Sequence, residues 1–300
     1  MDGKALSAEE QAALKSLSSR SDSKGLLQFA GHLAALLASG WLVWQTQHGL
    51  WLAPALLLHG TLLVFLFCAE HEAVHRTAFR SRRLNDAVAW LCGLAILLPP
   101  TAFRAFHLDH HRYTQDPARD PELGRPKPSS LAGYLWLLSG LPFWSNQVAS
   151  LWRHAWGRAV APYMTAAQSA DAVREARAYI ALYAAAAAAS LWWASPALLL
   201  LWLLPVLLGQ PLLRAYLLAE HFGCPQTGDM MRDSRTTDTN WVLRRLAWNM
   251  PFHGAHHAYP AVPFFALPAA QEVLAARPQT RCRGYLAFHL QVIRDLAARA

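Results

Sequence analysis

Four stretches of this chain contain no Asp, Glu, Lys or Arg: Leu26–Gln47, Leu50–Ala69, Ala178–Pro196 and Ala197–Leu213. A bilayer core of ~30 Å requires roughly 20 apolar residues in a helix. The first pair meets that length. The second pair is shorter, and Ser195-Pro196 marks a turn between its members. The pattern predicts an all-α integral membrane protein with four transmembrane helices in two hairpins. The spans fall near residues 26–47, 50–69, 178–196 and 197–218. Residues 70–177 and 219–300 are then a helical cap on one face of the membrane. Residues 1–25 form a polar segment on the same face, and 26–300 form one membrane domain.

Two shorter apolar stretches, Ala87–Pro100 and Leu131–Trp144, suit an interfacial or re-entrant segment better than a span. The charge distribution agrees with this topology. Of 27 Lys and Arg residues, 13 lie in Glu70–Arg177, 9 in Glu220–Ala300 and 4 in Met1–Gly25. The last, Arg214, belongs to the final turn of the fourth span. The outer loops, Gln47–Leu50 and Ser195–Ala197, have none. The positive-inside rule makes the charged face cytoplasmic, with both termini on it. The +8 net charge is thus read as topology and not as a nucleic-acid patch. Trp41, Trp44, Trp51, Trp192 and Trp193 fit an outer aromatic belt. No cleavable signal peptide is expected, because the run after the polar start is too long. Ser7 and Glu10 form a capping-box pattern that predicts a short helix over Ala8–Leu17. That helix could lie on the membrane or in solvent.

Nine of the 14 histidines fall in four clusters beside the apolar segments. They are His71 and His75 (HEAVH), His107, His110 and His111 (HLDHH), His221 (AEHFG), and His253, His256 and His257 (HGAHH). Residues three and four apart share a helix face, so each multi-histidine cluster can close on a metal from one side. Imidazole is the commonest metal ligand and suits Zn, Cu, Fe and Ni. A structural zinc needs four ligands. Nine imidazoles are about right for two metals with open positions, which points to redox or oxygen chemistry.

The remaining histidines, His32, His48, His59, His154 and His289, read as ordinary core or interface residues. Cys68, Cys92, Cys224 and Cys282 show no ligand spacing. His71-Glu72-Ala73-Val74-His75 also matches the H-E-x-x-H zinc-protease pattern, with Glu72 as general base. That reading leaves seven clustered histidines unexplained. A metal transporter would place polar ligands at mid-membrane, whereas these clusters lie outside the expected spans.

These boxes resemble those of the membrane fatty acid desaturases and related integral-membrane di-iron oxygenases. The resemblance rests on H-x3-H at His71/His75 and on H-x2-HH at His107/His110/His111 and His253/His256/His257. The flanking stretches Phe103–Leu123 and Asn249–Pro268 look like bacterial desaturase sequences. The resemblance runs from about Glu70 to Pro268. It implies two iron ions: one held by His71, His75, His107, His111 and His256, the other by His110, His221, His253 and His257. It also makes Asn249 a candidate partner for a metal-bound water, beside its simpler reading as a helix cap. Many relatives carry an acidic or amide residue in the third box, where this chain has Gly254-Ala255. That departure bears on the groups that orient the imidazoles. The chain lacks the fused cytochrome b5 domain of some desaturases, so a separate electron donor, a ferredoxin or a cytochrome, is implied.

The resemblance implies an O2-dependent enzyme that introduces a double bond into the acyl chain of a lipid, in a bacterial inner membrane with the metal site cytoplasmic. Hydroxylation or ketolation of a carotenoid or alkane is the nearest alternative. Trp90, Leu94 and Leu97 are candidates to line an acyl tunnel, with helix packing as the simpler reading. Asp109, Asp116, Asp120 and Glu122 stand near enough in sequence to orient imidazoles. For Asp120 and Glu122 a solvated loop is the simpler reading. Arg76, Arg80, Arg82, Arg83 and Arg112 are candidates to hold a phosphate headgroup or an acidic carrier, although ordinary positive-inside charge explains them.

Overall fold

A computed structural model describes residues 6–124 and 126–299; the first five residues of the expected N-terminal segment lie outside the described residues. Among these the chain is almost entirely helical. Helix α1 (Ala8–Leu17) starts with the capping box expected of Ser7 and Glu10. It docks on the protein: Leu14 is fully buried, and Glu10 forms a two-pronged ion pair with Arg277 at 2.7 and 2.8 Å. Helix α2 (Asp22–Thr46) is capped by Ser21. A short turn joins it to α3 (Leu52–Val64), which continues after Phe65 as α4 (Leu66–His75).

Helices α5 (Arg82–Ile96) and α6 (Pro100–Tyr113) meet at a bend of 102°. Leu97, in the left-handed conformation, ends α5, and Pro100 begins α6 where its missing N–H costs nothing. Then come α7 (Leu131–Leu138), α8 (Leu141–Ala155) and α9 (Ala166–Trp192). A π-helical turn, Leu199–Leu203, leads into α10 (Leu204–His221). The rest is built from short pieces: α11 (Met230–Asp233), strand β1 (Arg235–Thr237), α12 (Trp241–Leu246), α13 (His253–Ala258), α14 (Leu267–Val273), strand β2 (Thr280–Cys282) and α15 (Tyr285–Ala297). The two strands pair in parallel, Arg235 against Thr280.

Among the described residues three helices are long and apolar enough to cross a membrane: Asp22–Thr46, Leu52–His75 and Leu199–His221. They match the expected spans 26–47, 50–69 and 197–218. The expected span 178–196 does not stand alone. It is the second half of α9, whose first half carries Asp171, Arg174, Glu175 and Arg177. Its apolar part is mostly alanine, which adds little apolar surface, and α9 is not among the candidate spans. The bent pair α5–α6 also passes by length and hydropathy, but it returns His107 to His75, as a re-entrant segment does. The stretch Leu131–Trp144 is split between α7 and α8 by Ser139 and Gly140.

Helices α3 and α10 pack backbone to backbone at Gly60 and Gly209. A Cβ on Gly60 would run into the Pro205 carbonyl, and one on Gly209 into the Gly60 carbonyl. Small residues permit such close approach where no hydrophobic force drives helices together. This seam holds the helices that end in His75 and His221 side by side. The main core continues from it through Phe65, Phe79, Ile96, Leu213, Trp248 and Leu267.

Four of the five histidines read as core or interface residues behave that way, and His48 does not. His59 bonds Ser39 Oγ at 2.8 Å and the Leu201 carbonyl at 3.1 Å. His289 bonds Tyr134 and the Ala215 carbonyl. His32 bonds the Leu62 carbonyl, His154 meets Ser150, and His48 is exposed. The five tryptophans of the expected belt are also exposed. Trp90 and Leu94 pack against Leu151 and Tyr179, with the Trp90 and Tyr179 rings edge to face, as the packing reading has it.

Candidate metal centre

Helices α4, α6, α10 and α13 bring the nine clustered histidines to one place. His71 and His75 leave the same face of α4 at i and i+4. His107, His110 and His111 share α6, and His253, His256 and His257 share the short α13. His221 is the last residue of α10. They form two groups. His71, His75, His107, His111 and His256 each offer a nitrogen, all within 4.8 Å of one another. His110, His221 and His257 do the same. His253 lies at the edge of the second group, its Nε2 2.9 Å from that of His221. The groups abut where the rings of His111 and His257 stack, 4.0 Å apart.

The ring nitrogens converge in a way that suits a cation. Nε2 of His107 lies 2.8 Å from that of His75 and 3.1 Å from that of His111. Nε2 of His110 lies 3.1 Å from that of His221. Two nitrogens bound at right angles to one ion, each roughly 2.1 Å from it, are about 3 Å apart. Several buried nitrogens also have no hydrogen-bond partner in the protein: Nδ1 of His71, His111 and His253, Nε2 of His257 and both nitrogens of His256. Burial, reinforced by the neighbouring histidines, holds His253, His256 and His257 well below the usual imidazole range. They are neutral at pH 7, the form that binds metal.

A second set of groups fixes the rings from behind. Asp120, which is buried, places Oδ1 2.9 Å from Nδ1 of His110. Its two oxygens also accept from the backbone N–H groups of Gln115 and Glu122. Thr114, four residues after His110, sits 3.1 Å from Nδ1 of His257. His221 Nδ1 donates to the Asp233 carbonyl at 3.1 Å. The Asp233 carboxylate in turn accepts from Thr227 and Gly228. Arg235 binds the Ala219 and Phe222 carbonyls at the end of α10. Glu220 is 3.6 Å from His253 Nδ1. The loop after α10 thus folds back to pin His221 from two sides.

The solvated-loop reading of Asp120 and Glu122 is therefore wrong. The turn Pro121–Gly124 returns against α6, and Glu122 Oε2 comes within 3.4 Å of His110 Nε2. Asp109 and Asp116 face Arg112 and Arg119 instead of imidazoles. Thr114, Glu220 and the Asp233 carbonyl escaped sequence reasoning. Only Thr114 carried a signal, its i+4 spacing from His110. Arg76 and Arg82 pair with Asp86, and Arg80, Arg83 and Arg112 are exposed, as ordinary positive-inside charge would be.

Asn249 closes α12. Its N–H reaches the Arg244 carbonyl and that of Trp248 reaches Arg245, with both residues at positive φ. This is the Schellman arrangement. The side-chain amide of Asn249 donates to the Phe264 carbonyl at 3.1 Å. Gly254 fits its place because α13 lies on the segment before it: an added Cβ would come 3.2 Å from Thr236 Oγ1 and 3.5 Å from the Ser234 carbonyl. A larger residue there would need Thr236 to give by a few tenths of an ångström.

Glu72 stands at Glu-x-x-His spacing from His75, as carboxylate ligands do in di-iron bundles. Here it is fully buried and accepts from Thr77 Oγ1 at 2.9 Å and from the Phe264 N–H at 3.1 Å. Its other oxygen lies 4.0 Å from His256 Nδ1. So placed, it is closed off from solvent, where a protease base would have to meet a peptide.

Fold and site together define a helical membrane protein with paired polyhistidine groups suited to metal. The family described as fatty acid desaturase matches residues 48–289, and the chain belongs to that family. It is 30% identical over 104 residues to the sn-1 oleoyl-lipid 12-desaturase of Picosynechococcus sp., covering 32% of this chain and 30% of that protein. It is 36% identical over 77 residues to the sphingolipid delta(4)-desaturase of Drosophila melanogaster, 24% of each chain. A longer match, 25% identical over 221 residues, is to beta-carotene 4-ketolase 3 of Haematococcus lacustris, covering 68% of this chain and 57% of the relative. The chain thus spans less than two thirds of the length of these relatives.

Proposed function

We propose that this protein is a membrane di-iron, O2-dependent desaturase that introduces a double bond into the acyl chain of a lipid. The observation that carries the reading is the convergence of Nε2 atoms from α4, α6, α10 and α13 into two groups. His71, His75, His107, His111 and His256 would hold one iron, and His110, His221, His253 and His257 the other. A bound iron pair supplies O2 activation and hydrogen removal from an unactivated C–H bond.

The protein's own part is positional. Asp120, Thr114 and the Asp233 carbonyl fix the tautomers of His110, His257 and His221, so that each Nε2 keeps its lone pair toward the group. Burial of seven of the nine rings, with His75 and His111 partly exposed, limits water at the reacting carbon. The charge distribution supports a cytoplasmic face for the site, with residues 70–177 and 219–300 as its cap and an inner-membrane setting. Electrons would come from a separate ferredoxin or cytochrome. A groove of about 220 Å3 beside α2 is lined by Gly31, Ala35, Leu62 and Trp241, with Arg245 in it.

Ketolation or hydroxylation of a carotenoid is the second reading, favoured by the ketolase match over 68% of the chain. One experiment separates them. Membranes containing the protein, iron and a reductase system would be given labelled phospholipid or β-carotene under O2. New unsaturated acyl chains support desaturation. Oxygenated carotenoid with unchanged acyl chains moves the second reading to the front. Absence of iron from the purified protein sinks both.

A further inference from the structure

We propose that Glu122 is an oxygen donor to the second metal beside His110, its partly exposed carboxylate turning inward from just outside the group of His110, His221 and His257. The inference rests on the di-iron reading above and adds a ligand to it. Two carboxylates flank His110, one at each ring nitrogen. Asp120 Oδ1 lies 2.9 Å from Nδ1, and Glu122 Oε2 lies 3.4 Å from Nε2. A carboxylate that only orients a ligand imidazole accepts from the nitrogen facing away from the metal. Asp120 already fills that place. Glu122 stands at the other nitrogen, the one that meets His221 Nε2 at 3.1 Å.

A separation of 3.4 Å is long for a hydrogen bond. It suits two donors side by side on one ion, each about 2.1 Å from it. The backbone holds Glu122 in register with the ring it approaches. Asp120 Oδ1 contacts His110 Nδ1 and also accepts the Glu122 N–H at 2.9 Å. One carboxylate oxygen therefore ties the imidazole and the glutamate together. Lys127 bonds the other oxygen of Glu122, Oε1, at 2.8 Å. Oε2 is left directed to the histidine group.

The first group has no equivalent. Its buried carboxylate, Glu72, is engaged by Thr77 and Phe264 and stands at Nδ1 of His256. The two metals would differ in chemistry, one bound by nitrogen alone and the other by nitrogen and oxygen.

The test is a ferrous-iron titration of the detergent-purified full chain, followed by Mössbauer spectra of the 57Fe-loaded protein. In Glu122→Gln, one iron should bind as in the wild type and the second roughly 10–100-fold more weakly, with only one of the two Mössbauer signals altered. Glu122→His supplies a nitrogen donor and should recover the second iron without restoring the wild-type signal. Lys127→Met should keep both irons. Two irons bound with wild-type affinity and unchanged spectra in Glu122→Gln would overturn the proposal. If Glu122→Gln loosens the fold in thermal melts, Glu122→His decides: recovered binding supports the ligand role, and lost binding overturns it. A wild-type protein holding fewer than two irons would instead overturn the parent reading, and this inference with it.

Discussion

The Nε2 atom of His75 on α4 lies 2.8 Å from the Nε2 atom of His107 on α6. Two lone pairs at that distance repel unless a proton or a cation stands between them. His107 meets His111 in the same way, at 3.1 Å, so one shared proton cannot serve all three rings. His107→Ala should therefore lower iron content by about one per chain, because a structural ligand is lost while the second group stays intact. Elemental analysis of the purified protein, normalised to chain concentration, checks this. Unchanged iron would remove His107 from the site.

Asp120→Asn should weaken iron binding roughly 10–100-fold without abolishing it. The amide cannot satisfy His110 Nδ1 and the N–H groups of Gln115 and Glu122 as well as the carboxylate does. Competition with a graded series of chelators would measure the change. An affinity equal to the wild type would make Asp120 a loop residue after all.

Gly209→Val should separate α3 from α10, since any Cβ there meets the Gly60 carbonyl. A cost of about 2–3 kcal/mol is expected for such overpacking. It would appear as a fall in detergent melting temperature of at least roughly 5 °C. Gly31→Ala, whose Cβ has open space, should melt like the wild type.

Docking of α1 should depend on acid. The Arg277 side chain, helped by the Ser7 backbone, lowers the Glu10 carboxyl from its ordinary 4.5 to about 2. Folding lowers this pKa, so the contribution of Glu10 is complete above about pH 4.5 and is lost as the pH falls toward 2. For a pair near the surface it is worth roughly 0.5–1 kcal/mol. Hydrogen exchange of residues 8–17 should be slower in the wild type than in Glu10→Gln at pH 6, with the difference closing near pH 2. A constant difference would show that some other contact holds α1.

Much of the fold was legible because two periodicities are strong. Runs without charge gave three of the helices long and apolar enough for a bilayer. Histidines three and four apart gave the faces that meet. The stretch 178–196 falls short of the hydropathy of the other candidate spans because its alanines are weakly apolar and continue a helix that begins among Asp171 and Arg174. The groups behind the imidazoles were hidden for another reason. Asp233 acts through its backbone carbonyl, which no side-chain pattern reports. Thr114 meets His257 across 143 residues. Asp120 and Glu122 sit among proline, glycine and charge, a composition that reads as solvated until the turn is seen against α6.

The membership of the first histidine group also sets an order of events during synthesis. His71, His75, His107 and His111 leave the ribosome early, whereas His256 follows only after α9 and α10 have been made. Four imidazoles are thus made while much of the chain is still to be translated. The late arrival of α13 completes both groups, because it carries members of each. A nascent chain stalled before α13 would hold neither group complete.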